Sequence, residues 1–278
     1  MAIITISRQV AALGDEIAEA LAKKLGYKFV DKKYIEKRIV ELGFPEEKMK
    51  KYDERKPGFF ASLVKERDEY LDYLQTAILE TAKDGNCVFI GRGAFVVLEN
   101  IPNLIAVRFV AKDDVRQQRL MDEFSWTKKQ AQNRIDESDE NRKGYHRNFF
   151  NIEPEDPSNY HLTLNTGILS VDEASNAIAN LCQALVSDEK EKAGTKKVQE
   201  LYEAQQVVNS LVFEHKVNVN FLRAVIEDDK LILQGVADSI AISEKAASIA
   251  REIMPNRTVE SCISIVQDFS TYPLQKNI

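Results

Sequence analysis

The sequence predicts an α/β domain, a parallel sheet flanked by helices, followed by a second, smaller α+β domain. Three observations carry this expectation. Short apolar runs at residues 3–6, 87–90 and 104–110 have the composition of strands buried on both faces. Helical patterns separate them, and strand–helix alternation through about residue 186 is how a parallel sheet with crossover helices is written. A charged stretch poor in apolar residues, SDEKEKAGTKK at 187–197, then divides the chain.

The opening unit organises the rest. After the run 3–6 comes a turn at 7–14, and then Ile17, Ala18, Leu21, Ala22 and Leu25 recur at helical spacing, with Gly26 as a stop. Strand, loop and helix N-terminus together suit an anion, because the first helical amides have no partner. Three readings stay open here: a phosphate loop, a βα unit that binds nothing, and a dinucleotide fold with Asp31 as the ribose acid. The loop, SRQVAALGDE, has Gly14 as its one glycine and no lysine, and Asp15 and Glu16 suit the helix dipole while repelling phosphate.

Residues 27–30 read as a second strand, and 32–42 and 46–53 as helices. Lys56-Pro57-Gly58 breaks the pattern, and 59–83 reads as a long amphipathic helix with Leu63, Leu71, Leu74 and Ile78 inward. The strand at 87–90 runs into Gly91-Arg92-Gly93-Ala94. An arginine between glycines at the carboxyl end of a buried strand lies where open α/β sheets hold ligands, and a guanidinium can grip phosphate with two bonds. An ordinary βα turn with an exposed arginine is the competing reading. After the strand at 104–110, Arg116 and Arg119 share a helix face. The helix from about 127 carries Arg134, Asp136, Asp139, Arg142, Lys143, His146 and Arg147, which describes either a solvated surface or a charged lid over phosphate. A proline-containing loop, a last strand at 160–165 and a helix at 171–186 complete the domain.

Bulk properties narrow the function. The chain has 278 residues, 44% hydrophobic and 29% charged, and a formal net charge of −6 that argues against a general nucleic-acid surface. No run approaches membrane-spanning length. Cys87, Cys182 and Cys262 are odd in number and form no Cys-x-x-Cys pair, so all three are expected as buried small hydrophobes in a reducing cytoplasm. His146, His161 and His215 show no ligand spacing, and no histidine-held metal is expected.

Four segments in order carry a resemblance: ITISRQ with GDEIAEALAKKLGY and FVDKKYI; FIGRGAFVVLENIPN; DVRQQRLM; and DESDENR with YHLTLNT. Residues 1–187 thereby resemble the cytidylate kinase-like family of P-loop nucleoside monophosphate kinases. The resemblance implies transfer of the ATP γ-phosphate, with Mg²⁺, to CMP or a related nucleotide. It implies that Arg92 holds the acceptor phosphate, with Asp31 on the acceptor side. Arg116, Arg119, Asp139 and Arg142 form the implied catalytic set, with Arg142 reaching the transferred phosphate. Arg8, Gly14, Asp15 and Glu16 fall in the implied cofactor loop. The family's loop resembles SREFGSGGREIA, whereas this chain has Ala11, Ala12 and Leu13 at Gly-Ser-Gly and Asp15 at Arg. That departure opens an alternative, a non-catalytic nucleotide-binding sensor or scaffold.

Residues 188–197 read as a linker or frayed helix end. Beyond them, a helix at 198–212, two β runs around Glu227-Asp228-Asp229, a helix at 240–253 and a last strand at 259–266 resemble a BON domain over 198–270. The resemblance implies phospholipid or macromolecular contacts; with no basic amphipathic helix of the membrane-surface type in the sequence, a small docking or dimerisation module is favoured over membrane attachment, and no catalytic cluster is visible.

Overall fold

The computed structural model describes residues 2–49, 52 and 64–266. The expected break at 56–58, the start of the long helix with Leu63, and residues 267–270 lie outside the described residues. The chain forms two compact units, dividing between Gln199 and Glu200.

In the first unit, β1 (Ile3–Arg8), β2 (Lys28–Val30), β3 (Cys87–Ile90), β4 (Leu104–Val110) and β5 (Leu162–Asn165) form one parallel sheet in the order β2-β3-β1-β4-β5. β1 lies at its centre because Ile3, Ile4 and Ile6 are all at most 2% exposed and need cover on both faces. α1 (Gly14–Leu25) and α8 (Val171–Leu185) supply part of that cover, with Ile17, Leu21, Ala174 and Ile178 packed into one core with Ile4 and Ile6. Gly26, at φ 67°, ends α1 by donating its N–H to the last-turn carbonyls. α2 (Lys32–Glu41), α3 (Glu46–Met49) and α4 (Val64–Ala82) lie between β2 and β3 in the chain, the short α5 (Ala94–Val97) between β3 and β4, and α6 (Asp113–Phe124) and α7 (Lys128–Phe150) between β4 and β5. Thr127 and Gln130 close a reciprocal capping box that starts α7. From β1 the chain goes to one side of the sheet for β2 and β3 and returns to the other for β4 and β5, so the crevice beyond β1 is a topological switch point.

The stretch read as a linker or frayed helix end is helical: α9 runs unbroken over Asp188–Asn209. The Ser187 hydroxyl accepts the Lys190 N–H, and Asp188, Glu189 and Glu191 fill the first turn, so the charge that suggested a linker supports the helix N-terminus.

In the second unit, β6 (Asn220–Glu227) and β7 (Lys230–Ala237) form the expected hairpin, turning at Asp228 with φ 51°. After α10 (Ile240–Ile253), β8 (Thr258–Ile265) pairs parallel with β7. Leu222, Ile226, Leu231 and Leu233 pack against Ala204, Val208, Ala246 and Ala250 from the helices.

Cys87 and Cys182 are buried, but Cys262 is exposed. It is out of phase with Val259 and Ile263, the β8 residues that face the core. Burial pushes the Cys87 thiol up to about 12 and Cys182 up to about 11. We expect one fast-reacting thiol per native chain in a disulfide-exchange titration at pH 8 and three after denaturation; a second fast native thiol would contradict the packing.

Candidate functional site

The site assembles at the carboxyl end of β1 from its two neighbours. Ser7 and Arg8 end β1, Gly91 and Arg92 follow β3, and Arg108 is paired with Ser7 across β4. Arg8, Arg92 and Arg142 line one small cavity with Ser7, Phe95, Tyr145 and His146. Thus guanidinium groups from β1, the β3 turn and α7 share one crevice.

Arg92 is 2% exposed and has φ 54°, the left-handed region, between Gly91 and Gly93, which are also at positive φ. Its guanidinium donates to the Tyr52 carbonyl at 3.1 Å and to the Glu36 carboxylate, and lies 5.8 Å from the centre of the Tyr145 ring. Gly93 is required: a Cβ there would meet the Phe150 ring at 2.3 Å. Arg142 donates to the Ser138 hydroxyl at 2.9 Å, and its carbonyl accepts the His146 Nδ1 proton at 2.8 Å. A carbonyl can only accept, so that bond places a proton on His146 Nδ1.

The loop after β1 is tied down at every residue from Gln9 to Ala12. Gln9 donates its N–H to Phe109 O, and Val10 N lies 3.5 Å from the Asp139 carboxylate. Arg119 donates to the Ala11 carbonyl at 2.9 Å and to the Thr166 carbonyl at 2.6 Å, while the Thr166 hydroxyl donates to the Ala12 carbonyl at 2.9 Å. Burial lowers the Arg119 pKa from its ordinary value. Val10 and Ala11 also pack against an apolar cluster from α6 and α7: Leu120, Met121, Trp126, Ala131 and Ile135. Ala11 and Leu13 hold φ values of 56° and 54°, a region that costs a residue with a Cβ about 1–2 kcal/mol.

Asp139 joins α7 to α6 and to the loop. Its carboxylate accepts from Arg116 at 2.6 Å and lies 3.9 Å from Arg142. The Arg116 guanidinium also bonds Asp113; burial pulls its pKa down, and the two carboxylates outweigh that and leave it raised.

Of the other sequence-predicted positions, Gly14 sits under Arg8, whose Cγ would be 2.6 Å from an added Cβ. Asp15 and Glu16 are exposed in the first turn of α1, and Arg8 lies 3.8 Å from the Asp15 carboxylate. Asp31 caps α2 by accepting the Tyr34 N–H at 2.7 Å, a local structural duty. Sequence reasoning missed Glu36, Arg108 and Tyr145. Arg108, 7% exposed, was hidden inside an apolar strand, where the lone charge within LIAVRFV is itself the signal.

The model of the cytidylate kinase-like family matches residues 3–168. The chain belongs to the cytidylate kinase-like family. As a cytidylate kinase-like protein it is similar to the cytidylate kinase of Methanocaldococcus jannaschii, 28% identical over 181 residues that cover 64% of this chain and 96% of that one. Its fold is similar to the solved structure of an uncharacterized protein from Eubacterium ventriosum, with a TM-score of 0.55 and 22% identity, covering 66% of this chain and 98% of the other. Ala11 and Leu13 hold a left-handed backbone, the region that favours glycine, while carrying side chains that glycine would not place beside the loop amides.

Proposed function

We propose that this protein binds a nucleoside monophosphate of the CMP class through Arg8, Arg92 and Arg142 and does not transfer phosphate to it. The observation that carries the reading is the contrast across one crevice: three guanidinium groups converge on the acceptor side, while the loop beside them is filled and fastened. A phosphate held by an NTP loop needs open backbone amides and a nearby cation. Here Ala11 and Leu13 carry side chains, the Val10 amide faces Asp139, and Asp15 and Glu16 put carboxylates at the helix N-terminus. ATP·Mg does not fit these residues. On this reading Asp31 and Glu36 serve the acceptor side as structural supports, and Arg116, Arg119 and Asp139 hold α6 and α7 to the loop. The second unit, BON-like in sequence, would then act as the contact module of a sensor or scaffold.

The second reading is a working kinase that passes the ATP γ-phosphate to CMP, favoured by Arg142 and Asp139 sitting together beside Arg8. A coupled assay for ADP release separates the two. We expect no CMP-dependent ADP formation above the background without protein. Robust CMP-dependent turnover would replace the first reading with the second.

A further inference from the structure

Among the described residues four strands lie at sheet edges, and three of them are guarded against a further strand. β2 and β5 have three and four residues, while β6 carries a bulge between Asn220 and Arg223, Phe221 at φ 53°, and charges at Arg223 and Glu227. Short, bulged and charged edges are the ordinary defences. β8 has none of them. It is eight residues long, pairs with β7 without a register shift, and its one charged residue, Glu260, already holds Lys230 at 3.4 Å.

The direction of each β8 backbone group follows from its two ends. The Thr258 N–H donates to Asp229 O and the Val266 N–H to Ala237 O, so the even-numbered residues spend their backbone groups on the β7 side. Alternation then aims the N–H and C=O of Val259, Ser261, Ile263 and Ile265 away from β7, and among the described residues no backbone group meets them. The side chains alternate as well. Ser261 meets Ser243 of α10 at 2.9 Å, so Val259, Ser261 and Ile263 face the helix, and Glu260, Cys262 and Ser264 face solvent.

We infer that β8 is a self-association edge, which pairs antiparallel with β8 of a second copy about a two-fold axis at Cys262. In that register Val259 lies opposite Ile265 and Ser261 opposite Ile263 as hydrogen-bonded pairs, so every outward backbone group of the strand is used. Thr258 falls opposite Val266, Glu260 opposite Ser264, and Cys262 opposite its own copy. No like charges meet, whereas an axis at Glu260 would oppose that carboxylate to itself. Ile265 and Val266, 36% and 58% exposed, gain β-branched partners in Val259 and Thr258. The pairing is isologous and closed, so it stops at a dimer. It is independent of what the crevice of the first unit binds.

Sedimentation equilibrium of the full chain in reductant, from about 1 to about 300 µM, tests it. A single strand pair is smaller than a standard interface, and we expect a monomer–dimer equilibrium with a dissociation constant on the order of 10 µM. Ser261→Pro removes an outward N–H and leaves the β7 ladder intact, and should abolish the dimer. Ser264→Glu, on the solvent face, sets a carboxylate opposite Glu260 at two symmetric positions and should weaken the dimer about tenfold; it carries the test if the proline variant fails to fold. The non-hydrogen-bonded Cys262 pair should have its Cα atoms about 4.5 Å apart, within disulfide range. Diamide should therefore join two chains through Cys262, each thiol giving one electron and one proton to the reagent. That product should vanish in Ser261→Pro, which keeps the thiol, while Cys262→Ser should lose the link and keep the dimer. A monomer throughout the range overturns the inference, and one whose Val259, Ser261, Ile263 and Ile265 amides still resist hydrogen exchange would assign the edge to another part of the same chain. A dimer of unchanged affinity in Ser261→Pro and Ser264→Glu overturns it as well, since a different surface would then hold the copies together.

Discussion

Arg92→Ala should abolish CMP binding, lowering affinity by at least about a hundredfold, the weight of a lost charge-assisted phosphate grip. It should also destabilise the fold. The guanidinium is almost fully buried, and its removal leaves the Glu36 carboxylate with Lys32 at 3.7 Å as its remaining ion-pair partner and takes a donor from the Tyr52 carbonyl. Breaking a buried pair from one side costs about 3–5 kcal/mol, but Glu36 is 28% exposed and water can re-solvate it, so about 2–3 kcal/mol is expected. Arg92→Lys keeps the charge but loses the fork and the reach to two acceptors, and should fall between wild type and alanine. Calorimetry on the folded fraction, with denaturant unfolding alongside, checks both parts. Wild-type affinity in a folded Arg92→Ala protein would remove Arg92 from the site.

Asp139→Ala should destabilise by about 3 kcal/mol, because the Arg116 side chain, 3% exposed, would keep only Asp113, which is 59% exposed, to balance its charge. It would also free the Val10 amide and loosen the α6–α7 cluster from the loop. The paired replacement Asp139→Leu with Arg116→Met should recover most of that loss, since an ion pair exchanged for apolar groups of similar size leaves no orphaned charge. A double-mutant cycle of unfolding free energies measures the coupling. A single-mutant cost under about 1 kcal/mol would mean that Asp139 does not hold α6 and α7 to the loop. The sole tryptophan, Trp126, lies in that cluster, so its fluorescence reports the loosening directly.

Much of this architecture was legible because burial on two faces leaves a simple trace. The runs at 3–6, 87–90 and 104–110 became β1, β3 and β4, and the Gly91-Arg92-Gly93 turn announced a guanidinium at the carboxyl end of a strand. Pairings between distant residues left no such trace. Glu36 meets Arg92 across 56 positions, and no local period encodes that contact. The charge density of α7 drew attention to Asp139 and Arg142 and away from Ala131 and Ile135, four apart, which form its inward seam onto the loop. Nor does an alanine or a leucine declare a left-handed backbone, so the loop conformation at Ala11 and Leu13 emerged only in three dimensions. In the 188–197 stretch composition left a linker and a helix end both open, while the end-of-helix placement of its acids and the Ser187 cap favour α9.

Separate titrations of the full chain with CMP and with ATP·Mg weigh the two halves of the crevice most directly. Saturable heat with CMP, lost in Arg92→Ala, and none with ATP·Mg is the expected result. Tight ATP·Mg binding by the native protein would mean that the filled loop still cradles a triphosphate, and the division between an open acceptor side and a closed donor side would be wrong.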